Sequence, residues 1–180
     1  MVRSSVADDP AWPIVDLADG DRERAVPVLI DSFTGIYRWH AKRTLREVDR
    51  VRAVVRGDDV VALTMLEPLV VDVGYVYYVA VASSERGRGL GGRLLDDALS
   101  IFQEDDRAVA YVATEEENEP MVRALARRGF REVERAELGW ADGGLGAWGL
   151  RSRMTLVSGE ILMGRRLRPQ RAGDSPPSRQ

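Results

Sequence analysis

The stretch VAVASSERGRGLGGRLL, Val79 to Leu95, holds the residues best suited to chemistry. A β-branched run ends in a loop with glycines at 87, 89, 91 and 92 and arginines at 86 and 88, and an apolar-periodic segment follows at once. Glycine lets the backbone take positive φ and come close to a ligand. Successive N–H groups in such a loop, with a helix N-terminus behind them, form a cradle for a pyrophosphate, to which Arg86 and Arg88 would add charge-assisted donors. A plain strand-to-helix turn with solvated arginines needs fewer than four glycines in six residues, so the anion cradle is the better reading. The same residues also satisfy G-x-G-x-x-G, as Gly87, Gly89 and Gly92, the pattern of a dinucleotide site. Three details oppose it. Ser83 to Arg86 separate the strand from the glycines, about eighty residues precede the motif, and the upstream strands read as antiparallel.

Other catalytic equipment is scarce. The chain has no cysteine and a single histidine, His40. A thiolate nucleophile, a disulfide framework and a cysteine-based zinc site are therefore excluded. A Ser-His-Asp triad or a histidine metal centre would rest on His40 alone, which reads as a residue of a helix surface or packed edge. No metal is expected.

The elements around the loop follow from periodicity. Pro13 to Leu17 reads as a short opening strand. Asp19 begins a helix through Phe33 that would bury Val26, Leu29, Ile30 and Phe33, with Pro27 near its first turns. A more polar helix spans about 35–49. Arg50 to Arg56 and Asp59 to Leu69 are valine-rich runs joined by Gly57-Asp58, the signature of a hairpin. Val71 to Ala82 is almost continuously β-branched and aromatic, as a strand buried on both faces would be. Gly92 to Gln103 puts Leu94, Leu95, Ala98, Ile101 and Phe102 on one helical stripe. A short strand, Ala108 to Thr114, precedes a helix from Asn118 to Arg128 with Gly129 at its C-terminal end. Arg131 to Leu138 and Glu160 to Leu167 read as closing strands.

Composition bounds the class. With 180 residues, 44% of them apolar, the chain is long enough for one domain. Residues 13–167 are expected to fold, between a flexible segment at 1–12 and a disordered tail at 168–180. Net charge is −3, and the only basic cluster is the Arg-rich end, so nucleic acid is a poor partner. The longest apolar run, Val73 to Ala82, is about half the roughly 20 residues of a membrane-spanning helix. The start also lacks a secretion signal. A cytoplasmic protein without a membrane partner is expected.

In its motifs the sequence resembles the GCN5-related N-acetyltransferase (GNAT) superfamily. The phosphate-loop pattern Arg/Gln-x-x-Gly-x-Gly/Ala is matched by Arg86, Gly89 and Gly91 after a V-A-V strand. Asn118 opens a helix that ends in Gly129-Phe130, in the expected register, and ILMGRRL fits the closing strand. The resemblance covers about residues 13–167. It implies an α/β fold with a mixed, mostly antiparallel central sheet, a splayed parallel strand pair and helices on both faces. It also implies acetyl-CoA as acyl donor, an amine acceptor, direct attack in a ternary complex, and a homodimer as one assembly open to it.

Residue by residue, the resemblance sends the pantetheine arm along the backbone of Val79, Ala80 and Val81. The pyrophosphate then takes the N–H groups around Arg86, Gly87, Arg88, Gly89, Leu90, Gly91 and Gly92. Asn118 matches an asparagine that contacts the pantetheine or caps its helix. The Val79 N–H corresponds to the donor that polarises the thioester carbonyl. Two departures stand out. The tyrosine that many members use as acid to the thiolate falls at Leu125, and the glutamate base of histone-type members falls at Tyr75. Tyr75 and Tyr77, on one strand face, are left as candidate acids, with Glu67, Asp72 and water as further proton carriers. Simple packing is an equal account of the two phenols.

Glu115, Glu116, Glu117 and Glu119 could attract a cationic amine or form a solvated loop. The insert Gly139 to Gly159 could cover the acceptor site with Trp140 and Trp148, or make a subunit contact. The function expected is an acetyl-CoA-dependent N-acetyltransferase. A coenzyme-A-binding or sensing module without turnover is the alternative, and a nicotinamide-dinucleotide-binding protein is more remote.

Overall fold

The computed structural model describes residues 12–70, 72–133 and 159–168. The expected terminal segments therefore lie outside the described residues except at Trp12 and Arg168. Also outside are residues 134–138 of the strand expected from Arg131 and residues 139–158 of the insert.

Among the described residues seven strands form one sheet: β1 (Ile14–Asp16), β2 (Arg50–Arg56), β3 (Asp59–Val70), β4 (Val73–Val81), β5 (Val109–Glu115), β6 (Arg131–Glu132) and β7 (Glu160–Arg166). Their spatial order is β1-β2-β3-β4-β5-β7-β6. All neighbours pair antiparallel except β4 and β5 at the centre, which run parallel. The antiparallel upstream strands that opposed a dinucleotide fold are thus observed.

Among the described residues four α-helices, α1 (Val26–Ser32), α2 (Gly35–Glu47), α3 (Leu90–Glu104) and α4 (Glu119–Ala126), accompany the sheet. On one face, Leu29 of α1 and Ala41 and Leu45 of α2 pack against Val51, Leu63, Met65 and Ala80. On the other, Leu95, Ala98 and Phe102 of α3 and Leu125 of α4 pack against Leu66, Val76, Ala110 and Val112. Stripe residues of α3 are buried as the periodicity requires. Helix α3 starts two residues earlier than expected, so Gly91 and Gly92 lie in its first turn rather than in the loop.

The helix expected from Asp19 is two pieces. Residues Asp19–Ala25 form 3-10 turns, and the α-helix begins only at Val26. Pro27 accounts for the break, because its ring clashes with the carbonyl four residues back and it has no N–H for an α-type bond there. The restart changes which residues face the sheet: Val28 and Leu29 are buried while Ile30 is 44% exposed. Arg22, on the 3-10 turns, is buried and donates to the carbonyls of Leu45 and Val48 at 3.0 and 2.8 Å. These carbonyls lie at the C-terminal end of α2 and its cap, so the guanidinium caps that helix and holds it on the sheet.

Candidate active site

Two features of β4 build the site. The first is a β-bulge. Met65 of β3 lies opposite Tyr78 but Leu66 lies opposite Val76, so Tyr77 is one residue extra in β4. A bulge breaks the alternation of side chains. Tyr75, Tyr77 and Tyr78 all pack on the α1–α2 side, whereas Val76 and Val79 pack on the side of α3 and α4. The Tyr75 and Tyr77 rings meet edge to face at 4.7 Å.

The second feature is a split. The parallel ladder runs from Val73 opposite Val109 to Val76 opposite Val112 and ends there, although β4 continues to Val81 and β5 to Glu115. β5 instead stays paired with β7 along its whole length. Ala82 N–H donates to Val61 O at 2.9 Å. By the alternation of an antiparallel ladder, the N–H and C=O groups of Tyr78 and Ala80 then face β3, and those of Val79 and Val81 face the opening. A cavity of about 220 Å³ occupies the split. Val79, Tyr77 and Tyr78 of β4, Val112 to Glu115 of β5, Tyr37 of α2, Glu160 of β7 and Asn118 line it.

The glycine loop follows the split end of β4. Gly87 and Gly89 have φ of +80° and +77°, and Gly89 is the N-cap of the 15-residue α3. Open space surrounds the position of a Cβ at Gly89, while a Cβ at Gly91 would touch the side chains of Val81 and Val79 at 3.7 and 3.8 Å. The backbone at the start of α3 therefore lies against the split end of β4. Its first-turn N–H groups have no intrahelical partners and suit an anion. The two loop arginines are engaged: Arg86 Nε donates to Val81 O at 3.3 Å, and Arg88 Nε lies 3.2 Å from the buried carboxylate of Glu85 with its guanidinium over the Trp12 ring. Asp31 of α1 anchors the loop from the other side, accepting from the Ser83 hydroxyl at 3.1 Å and from its N–H. These bonds from Ser83, first the backbone and then the hydroxyl, hold the Asp31 carboxyl below its ordinary value.

Asn118 stands at the cavity and caps α4, its Oδ1 accepting from Met121 N–H at 3.4 Å. Tyr77 lines the cavity, but Tyr75 lies beneath it, 2% exposed, in a cluster with Leu69, Val73 and Tyr111. Burial, then the Glu160 carboxylate, pushes its phenol far above the ordinary value. This position supports the packing account of Tyr75. Neither Glu67 nor Asp72 lines the cavity; Glu67 accepts from Asp49 N–H at 2.9 Å and Asp72 pairs with Arg168 at 3.5 Å.

Sequence reasoning passed over Tyr37, Tyr78 and Glu160, which the fold brings to the cavity, and set His40 beside them aside as a residue of a helix surface or packed edge. Tyr37 Oη donates to Glu160 Oε1 at 3.4 Å. Burial, followed by the carboxylates of Glu160 and Glu115, raises this phenol to about 12. Tyr78 Oη lies 2.8 Å from His40 Nδ1, which is also 3.3 Å from Thr44 Oγ1. Tyr78 was hidden by the bulge, since strict alternation would have placed it with Val76. His40 and Tyr37 stand on α2 at i and i+3, a spacing that puts them on one helix face and was the available signal.

A sheet split between central parallel strands, beside a glycine cradle on a helix N-terminus, is the arrangement that the motifs implied. The sequence model described as the Acetyltransferase (GNAT) family matches residues 20–130. The chain belongs to the GNAT family. A 63-residue stretch is 44% identical to the mycothiol acetyltransferase of Corynebacterium aurimucosum, covering 34% of this chain and 20% of that protein. The chain thus matches about a fifth of that relative's length. Among solved structures, the Escherichia coli ribosomal-protein-S18-alanine N-acetyltransferase aligns over 89% of this chain and 97% of its own, with TM-score 0.66 and 16% identity. A GNAT acetyltransferase from Elizabethkingia anophelis, solved with acetyl-CoA bound, aligns over 88% of this chain and 99% of its own, with TM-score 0.65 and 13% identity. At such identities the likeness is one of fold. Within this GNAT chain Leu125, where the resemblance implied a tyrosine, is fully buried against the α3 core.

Among the described residues no group of three or more His, Cys, Asp or Glu could hold a metal, and no helix is long and apolar enough to cross a membrane.

Proposed function

We propose that the protein transfers an acetyl group from acetyl-CoA to a primary amine by direct attack in a ternary complex. The observation that carries this reading is the split of β4 from β5, which opens the peptide edge of Val79 toward a cavity and leaves the start of α3 against the side chains of Val79 and Val81. An amide-bearing pantetheine arm would continue the sheet along that edge. The pyrophosphate would take the N–H groups from Gly87 to Gly92, and the thioester carbonyl would receive the Val79 N–H. On the far side of the cavity, Glu115 and Glu160 flank Tyr37 and favour a cationic acceptor. Thioester and amine are reactive enough that alignment can supply much of the rate.

Acetyl-CoA should raise the unfolding temperature of the purified protein, and thiol release should follow addition of an acceptor from a panel of primary amines. No stabilisation at millimolar acetyl-CoA would sink the donor assignment. The buried Leu125 and Tyr75 favour a second reading, a coenzyme-A-binding module without turnover. Binding with no thiol release for any amine would select it.

A further inference from the structure

The α2 side of the cavity carries a pair of groups that the donor site does not use. Tyr78 is held by Phe33, whose ring meets it edge to face at 5.1 Å, and its hydroxyl lies 2.8 Å from His40 Nδ1. His40 is held in turn by α2, which Arg22 pins at its C-terminal carbonyls. We propose that Tyr78 and His40 form a proton relay that deprotonates the acceptor amine. This proposal rests on the N-acetyltransferase reading and adds to it the groups that handle the proton.

Geometry and charge favour a relay over either group alone. Tyr78 lines the cavity and His40 does not, so the imidazole reaches the acceptor only through the phenol. Burial, then Glu160, Tyr37 and Tyr77, holds the Tyr78 phenol well above its ordinary value, which opposes a standing phenolate. Such a phenol can take up a proton only while giving up its own, and that requires a base on its oxygen. Imidazole is the side-chain base suited to neutral pH. The groups around the pair are Tyr37 and Thr44 on α2, Tyr77 on β4, Glu115 on β5, Glu160 on β7 and Arg22 on the turns packed against α2.

In the step, an ammonium proton passes to Tyr78 Oη as the phenolic proton passes to His40 Nδ1. The freed nitrogen lone pair forms the new bond to the acetyl carbon, and collapse of the adduct breaks the C–S bond, its electron pair leaving on sulfur. The adduct nitrogen loses a second proton. One of the two protons ends on the sulfur and the other in solvent, giving amide and thiol.

The chain has one histidine, so its imidazole nitrogens give a single pair of NMR signals. The relay expects the neutral ring to carry its proton on Nε2, and the Nδ1 signal to shift in Tyr78→Phe. With an amine that the wild type turns over, Tyr78→Phe and His40→Asn should each lower kcat about 100-fold, a general-base effect. The KM for acetyl-CoA should stay unchanged, and the double variant should be no slower than the worse single one. His40→Asn keeps an acceptor near Nδ1 but cannot take up the phenolic proton. A proton on Nδ1 in the neutral wild type would overturn the relay, as would turnover within twofold of wild type in either variant. Acetyl-CoA binding without turnover of any amine would also overturn it. A wild type that fails to bind acetyl-CoA refutes the donor reading instead, and the imidazole signals then decide the pairing by themselves.

Discussion

Replacing Gly89 by valine separates the fold of the phosphate loop from its function. Gly89 has φ of +77° and caps α3, and no atom lies within 4 Å of where its Cβ would be. The substitution therefore meets no steric wall in the protein, only the left-handed backbone, at a cost of roughly 1–2 kcal/mol. For a chain of this size each kcal/mol corresponds to about 2–4 °C, so the unliganded variant should melt roughly 2–8 °C lower. The space the new side chain enters is where the pyrophosphate is proposed to sit. At a concentration 100-fold above Kd, acetyl-CoA should stabilise the wild type by about 2.7 kcal/mol. If the valine weakens binding about 100-fold, the same concentration gives RT ln 2, about 0.4 kcal/mol, or roughly 1 °C. The control is Gly57→Val. Gly57 has φ of +60° in the β2–β3 turn, again with open space around its Cβ. It should lose similar stability yet keep the full ligand shift. Thermal unfolding of the three proteins with and without acetyl-CoA is the assay. A Gly89→Val protein that keeps the wild-type ligand shift would refute the cradle.

Asn118→Ala should cost about 1 kcal/mol in urea unfolding through loss of the cap on Met121 N–H, whereas Asn118→Asp should keep that cap. If the amide also binds pantetheine, the aspartate variant should still show weakened acetyl-CoA affinity by calorimetry. Gly74→Ala should destabilise by roughly 1–3 kcal/mol, because a Cβ there would lie 2.6 Å from the Phe102 ring. A second change, Phe102→Leu, should recover part of that loss. Tyr37, Tyr75 and Tyr78 are all raised in the fold, Tyr37 to about 12, so the native state holds these phenolic protons more tightly than the unfolded chain. Their contribution should be complete below about pH 10 and fall as pH rises above it, that of Tyr37 being gone once pH passes 12 while those of Tyr75 and Tyr78 are still falling. Urea midpoints that stay level from pH 9 to pH 11.5 would contradict this.

The glycine loop and the helix it opens were legible because their physics is local: glycine spacing, flanking charge and the helix that follows all lie within one short stretch. The stripe of α3 and the cap at Asn118 were legible for the same reason. What escaped was non-local. The one-residue excess at Tyr77 exists only relative to β3, so alternation read along β4 could not place Tyr78. Glu160 arrives through the pairing of β7 with β5. Ile30 turned outward because Pro27 divided an otherwise continuous apolar period into two helical pieces.

His40 shows how distance along the chain misleads. It precedes Tyr78 by 38 residues and the phosphate loop by more, and by sequence it belongs to no cofactor motif. Yet the hairpin of β2 and β3 packs under α2, and the extra residue of β4, the next strand, turns Tyr78 to the same side, where it meets His40. Without that residue Tyr78 would point toward α3, His40 would have no partner on the sheet, and the acceptor side of the cavity would lose a phenol. The bulge also falls just past Val76, where the β4–β5 ladder ends. A single irregularity in one strand thus accompanies both the opening between β4 and β5 and the turn of Tyr78 toward α2.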